Sequence, residues 1–307
     1  MRNAFADEVT KLGASDSRVV MLSGDIGNRL FDKFKDKCPT RFFNCGVAEQ
    51  NMMGFAAGLA MSGLRPVVYT ITPFVTSRCY EQIKIDVCYQ EAPVTIVSVG
   101  GGLSYASLGP THHSCEDIAI LRALPNLRIV CPGDAWEVRA ALRAAVSQDR
   151  PTYIRLAKRG EPTFHSQVPD NFAIGKALPM RSGKTICLLS TGNMLPEAYE
   201  AADLLAKNGS APAVVSFHTV KPLDTDFLAD AFARYELVVT IEEHGLVGGL
   251  GAAIAEWRND AGIGGARLVR VGTPDAFYKL SGEQEHAREV LNLTGHKIAE
   301  RIQATLG

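Results

Sequence analysis

Glu49 stands at the mouth of FNCGVAEQNMMGFAAGLAMSG, residues 43–63, an apolar run crowded with small side chains. Two kinds of chemistry suit an acid there. In a helix's first turn it faces the positive end of the dipole, worth about 0.3–1 kcal/mol. Buried, it can instead hold a proton near neutrality, because desolvation disfavours the charged form. The residue types alone leave both open. A second candidate is GGGLSYASLGPTHHS, residues 100–114, with four glycines and the paired His112 and His113. Such a loop offers backbone N–H groups to polar or anionic ligands, and a histidine can donate a hydrogen bond or relay a proton. The pair has no third ligand at helical spacing, so it is no metal site. RLAKRG brings Arg155, Lys158 and Arg159 to one place; arginine suits bidentate phosphate recognition, and a solvated charge cluster is the plainer alternative. In TPFVTSRCYEQ, Phe74 and Tyr80 are either core or a stacking platform for a flat heterocycle.

The elements that must position these residues alternate. Strand-like runs VVMLSGD, RFFNCG, RPVVYTI, APVTIVSVG, LRIVCPGD and PTYIRLAKRG are separated by helical patterns, including SRCYEQIKIDVCYQ and AWEVRAALRAAVSQ. Strands spaced by helices predict a parallel sheet covered on both faces. The period then loosens over Glu161–Gly183, which reads as a linker rich in proline and glycine. A second unit follows, with strands TICLLSTG, APAVVSFHTV, ELVVTIEEH and ARLVRVG. The expected fold class is α/β with two doubly wound domains, 1–162 and 184–307, joined by a linker at 163–183. Ligands of such sheets bind at the carboxyl ends of the strands. SGDIGNR, GGGLSYASLGPTHH and RLAKRGEP all fall there.

Composition narrows the classes of function. The 307 residues are 46% hydrophobic and 21% charged, with a net charge of -1 and no long basic run. That is ordinary globular composition and argues against nucleic acid as a main partner. No apolar run reaches the roughly 18 residues of a membrane span, and the N-terminus has no secretory pattern. Seven scattered cysteines with no CxxC pair suggest reduced thiols and a cytoplasmic protein. The phosphate-cradling GxGxxG and GxxxxGK[ST] motifs are missing.

Taken together and in order, GVAEQNMMGFAAGLAMSGLRPV, GPTHHSCEDIAILRALPN, VVSFHTVKPLD and TIEEHGLVGGLGAAIAE resemble the C-terminal half of transketolases. The resemblance covers nearly the whole chain and implies a pyrimidine-binding domain followed by a transketolase C-terminal domain. It implies thiamine diphosphate as cofactor. Glu49 would then bond N1′ of the aminopyrimidine and favour the imino form of its 4′-amino group, the cofactor carrying the hard chemistry. Phe74 would stack on the pyrimidine, with Tyr80 beside it and Ile71 where a second aromatic is common. His112 would contact donor oxygens near C1. Arg159 would hold an acceptor phosphate and Arg29 would lie on the acceptor side. Two departures bear on the substrate: Leu108 replaces an Asp before GPTH, and Gly100 replaces a histidine. Full transketolases also carry a domain for diphosphate and Mg²⁺, marked by GDG and a downstream Asn, which this sequence lacks. The resemblance therefore implies a split enzyme, active only with a partner subunit that supplies that domain, in an α2β2 heterotetramer with contacts between like chains. The expected reaction moves a two-carbon ketol unit from a ketose to an aldose. The rival readings are a β subunit of a 2-oxo-acid dehydrogenase, a deoxyxylulose-phosphate-synthase-like enzyme, and a non-catalytic paralogue.

Overall fold

The computed structural model describes residues 1–27, 29–158 and 160–306. The first unit runs α1 (Arg2–Ser15), β1 (Val19–Ser23), α2 (Asp32–Lys37), β2 (Phe42–Asn44), α3 (Glu49–Met61), β3 (Arg65–Ile71), α4 (Thr72–Val75), α5 (Tyr80–Gln82), β4 (Thr95–Val99), α6 (Asp117–Arg122), β5 (Arg128–Val130), α7 (Ala135–Val146) and β6 (Thr152–Leu156). The second runs β7 (Leu178–Arg181), β8 (Ile186–Ser190), α8 (Leu195–Lys207), β9 (Ala213–Ser216), β10 (Thr219–Lys221), α9 (Thr225–Arg234), β11 (Leu237–Gly245), α10 (Leu250–Asp260), β12 (Arg267–Thr273), α11 (Gln284–Val290) and α12 (Gly295–Leu306).

Strands form because β-branched and apolar residues fill both faces of a buried sheet. In β1, Val20 and Leu22 join one core while Val19 and Met21 join the other, the period-2 alternation of a pleated strand. The seven-stranded sheet has the order β10-β5-β6-β4-β3-β1-β2, and the five-stranded sheet β12-β11-β8-β9-β7. α1 and α7 cover one face of the first sheet. On the other face, α3 and its neighbours share a core that continues into the second unit through Leu189, Val215, Phe217 and Leu228. The architecture is α/β with two mostly parallel sheets, as the alternating pattern predicts.

Three local expectations are corrected. The run APAVVSFHTV is not one strand. It breaks at Phe217–His218, where Phe217 N–H donates to Ser190 O at 2.7 Å and Cys131 N–H to His218 O at 2.6 Å. β9 therefore stays in the second sheet, while β10 crosses to pair antiparallel with β5 of the first. The linker reading of 163–183 fails at its end, because β7 is an antiparallel edge strand on β9. The helix in SRCYEQIKIDVCYQ begins only at Tyr80 and becomes a π-helix over Ile83–Tyr89. In addition, the N-terminus forms a 14-residue helix that the strand-seeking pattern passes over.

Candidate active site

The turn before α3 sets Glu49. Gly46 takes φ +69, a conformation that glycine adopts without a Cβ penalty. Its N–H donates to Asn44 Oδ1 at 2.9 Å, and Asn44 Nδ2 reaches Asp25 Oδ1 at 3.1 Å. The chain enters α3 with Ala48 as its uncapped N-cap and Glu49 in the first turn. Glu49 is only 4% exposed, so the solvated dipole-compensating acid is not what this position holds.

Glu49 Oε2 accepts from Arg78 Nη1 at 2.8 Å. The Arg78 guanidinium lies 4.2 Å over the Phe74 ring, and the Phe74 ring meets the His112 ring edge-on at 5.2 Å. His112 meets Tyr105 at 6.0 Å, and Lys158 Nζ stands 4.9 Å over Tyr105. A single file of contacts thus joins the ends of β3, β4 and β6 to the start of α3. α4 is fastened to this edge by Thr72 Oγ1, which donates to Val99 O at 3.0 Å. Gly24, just past the end of β1, keeps the floor open: a Cβ there would stand 2.9 Å from Thr70 Oγ1 and 3.7 Å from Glu49 Oε1. Thr70 Oγ1 is buried and has no hydrogen-bond partner.

The two histidines separate by environment. His112 is half-buried, with Thr111 Oγ1 3.0 Å from its Nδ1. Burial, then the neighbouring His113, lowers its pKa, so the imidazole is neutral near pH 7 and can both donate and accept. His113 is buried, with Nε2 3.0 Å from Ala106 O and its ring tilted on Tyr278 at 5.8 Å; it fixes the loop.

Other candidates fall outside the file. Tyr80 and Ile71 pack on the hydrophobic cores. Arg29 is exposed, has φ +60, and lines a cleft of about 620 Å³ with Arg2, Asp7 and Lys33. Arg155 is no phosphate ligand: it is buried against Asp117 at 2.8 Å and donates to Ser114 O and Glu243 O. Arg159 lies outside the described residues. Leu108 is 53% exposed. The residues that motif reasoning passes over are Arg78, Arg2 and Tyr105. Arg78 is visible between Phe74 and Tyr80, but its partner is 29 residues away. Arg2 has a buried Nε without a partner, and its charge acts on Tyr105.

The site has the parts an aminopyrimidine needs: a buried acid for a ring nitrogen, an aromatic face, and a floor opened by Gly24 over the unpartnered Thr70 hydroxyl. No group of three or more His, Cys, Asp or Glu that could hold a metal occurs among the described residues.

Fold and site together define a doubly wound α/β protein with a file of acid, aromatic and imidazole side chains at the carboxyl edge of its first sheet. Residues 1–161 match the model of the transketolase pyrimidine-binding domain, and residues 175–298 that of the transketolase C-terminal domain. The chain belongs to the transketolase family. It is 34% identical to the 6-deoxy-6-sulfo-D-fructose transketolase subunit SqwH of Clostridium sp. (strain MSTE9), over 97% of this chain and 92% of that one. It is also 34% identical to a subunit of the apulose-4-phosphate transketolase of Phocaeicola vulgatus, over 83% of this chain and 82% of that one. Among solved structures it resembles a split gene transketolase described as an inactive β4 tetramer, with TM-score 0.89 and 32% identity over 99% of this chain and 96% of that one.

Proposed function

We propose that this chain is the pyrimidine-binding subunit of a thiamine-diphosphate-dependent transketolase that moves a two-carbon ketol unit from a ketose to an aldose. The observation that carries the reading is the convergence of buried Glu49, Phe74 and neutral His112 at one sheet edge. When bound, the cofactor supplies the nucleophilic carbon and the electron sink. Glu49 would hold a proton at the pyrimidine N1′, and Phe74 would carry the ring on its face. Arg78 now lies on that face and pairs with Glu49; its side chain is 41% exposed, so it has room to swing aside.

The reaction breaks the C2–C3 bond of the ketose and forms a new C–C bond to the aldehyde carbon of the acceptor. The proton lost from the donor's C3 hydroxyl reappears on the acceptor oxygen. A neutral imidazole at His112 can take up and return that proton with no net change. Arg2, Arg29 and Lys33 outnumber Asp7 in lining a separate cleft, which would suit an anionic far end of the sugar. The substrates named for the two relatives carry such groups, a phosphate and a sulfonate. Arg159 belongs to the same proposed acceptor side.

The partner, in this reading, is a separate subunit that binds the diphosphate and Mg²⁺. Relatives named as subunits and matched over most of their length support it. The exposed Phe43, Val47 and Phe55 at the head of α3 are our contact surface between chains of a cytoplasmic α2β2 assembly. The test is ketol transfer by the co-purified pair. Glu49→Gln should lower turnover at least roughly a hundredfold, within the range of acid–base groups. Full activity of that variant would overturn the reading, and so would turnover by this chain alone with thiamine diphosphate and Mg²⁺.

A further inference from the structure

TIEEHG, the end of β11, plays no direct part in the chemistry above, yet four consecutive residues there spend their polar groups on other elements. Glu242 turns away and accepts from Leu250 N–H at 2.7 Å and Gly251 N–H at 2.9 Å, at the start of α10. The other three reach the base of the loop that carries Tyr105, Leu108 and His112 and the segment that leads from it into α6. That loop is pinched at its base by an isolated antiparallel bridge between Gly102 and Ser114. On one side of the bridge, Glu243 Oε1 accepts from Leu103 N–H at 2.7 Å. On the other, Gly245 N–H donates to Cys115 O at 2.7 Å, and His244 Nε2 accepts from Ala119 N–H at 3.2 Å. Arg155 Nη2 closes the ring, donating to Ser114 O at 2.9 Å and Glu243 O at 3.0 Å.

Glu243 is the centre of this arrangement and is 1% exposed. Its carboxylate also accepts from Asn193 Nδ2 at 3.1 Å and Gln284 Nε2 at 2.9 Å, and it pairs with Arg288. Arg288 is held in turn by Glu197 at 2.9 Å. Gly102, at φ +67, leaves no space: a Cβ there would lie 2.4 Å from Glu243 Oε1. A fully partnered buried carboxylate has one arrangement, and removing a partner leaves polar groups unsatisfied.

We propose that Glu243 is a positioning residue, through which the C-terminal unit clamps the 102–114 loop and so fixes His112 for the reaction. Among the described residues, Glu243 makes no hydrogen bond or ion pair with the file from Glu49 to Lys158, so its link to His112 runs through the loop. The inference rests on the role proposed for His112. The clamp itself is measurable without any activity.

The test uses the full chain with Glu243→Ala, Glu243→Gln and Gln284→Ala, the last a half-buried position that spares the Arg288 pair. Amide hydrogen exchange is read across the chain, and ketol transfer in the pair with its partner. Glu243→Ala should speed exchange at 103–114 at least tenfold while β1, β3 and α3 stay at the wild-type rate. It should raise KM for the sugar more than it lowers kcat. Glu243→Gln, which keeps an acceptor for Leu103, should restore part of both, and Gln284→Ala should show the same signature more weakly. The proposal is overturned if folded variants exchange at the wild-type rate in this loop, or if exchange rises uniformly over the chain. It is also overturned if the loop loosens but turnover is unchanged while His112→Ala abolishes it. If Glu49→Gln and His112→Ala both leave the pair fully active, the function reading falls, and with it the clamp's catalytic role, even where exchange shows the clamp.

Discussion

In the function proposed above, two residues, Glu49 and His112, would handle the protons. His112 has its pKa held below the ordinary histidine value by burial and by His113. If its neutral form is the active one, kcat/KM of the assembled enzyme should be flat from about pH 6.5 to 8. The acid limb should lie below about pH 6.5 and vanish in His112→Ala; a limb centred above neutrality would refute this assignment. Phe74 offers a face and no proton. Phe74→Leu should weaken cofactor binding by roughly 2- to 12-fold, the value of an aromatic pair, with kcat little changed, as titration by intrinsic fluorescence would show. At this scale the sequence is legible where a residue is defined by its own neighbours. That Glu49 opens an apolar helix follows from the turn before it and the run behind it, while its role is implied only by the resemblance to transketolases. Arg78 is not legible, because its role comes from Glu49 and Phe74 together, and only the fold brings them into reach.

Among the elements near the site, the triple glycine leaves little room for a side chain. Gly100 has φ +86, and a Cβ there would stand 2.0 Å from the Tyr105 ring. In the sequence, Gly100 reads as the loss of a polar side chain; in the fold, the aromatic ring of Tyr105 takes that space. Gly100→Ala should cost about 1–2 kcal/mol from the left-handed backbone alone, a fall in Tm of a few degrees for a chain of this size. It should also raise KM for the sugar by pushing Tyr105 out of line with His112. An unchanged Tm and KM would show that the loop simply yields. Most strands are legible from alternation and turn residues. β10 is not, because the apolar pattern runs on through Phe217 and His218 while the backbone changes sheets. β7 is not, because a four-residue edge strand with Pro179 inside it has the composition of a linker.

For the whole molecule, buried ionisable groups set the response to pH. Burial lowers His244 to about 4 and His218 to about 3. In the window from 6.5 down to these values the unfolded chain binds the protons first, so stability falls on acidification. Burial raises Glu242 and Glu137 to about 7. These hold protons in the fold that the unfolded chain releases above about 4.5, so their contribution is lost as pH rises from about 4.5 to 7. The two pairs oppose each other between 4.5 and 6.5. Tm should be nearly level there and drop below about pH 4.5, with a shallower drop in His244→Asn; a steep slope inside that window would contradict the balance. Quaternary structure offers a further check. Phe43 and Phe55 meet edge-on at 5.4 Å, and Val47 beside them is 79% exposed. Val47→Asp should shift the isolated chain toward monomer in light scattering.

β10 has a consequence for how the chain is made. The edge of the first sheet at β5 is sealed by Thr219–Lys221, which the ribosome delivers long after β6 ends at Leu156. At about 5–20 residues per second the delay is roughly 3–13 s. Throughout it the nascent sheet shows an unpaired edge, the kind that recruits other strands. The pyrimidine-binding unit should therefore be most vulnerable to aggregation and most dependent on chaperones when translation stalls between those two points.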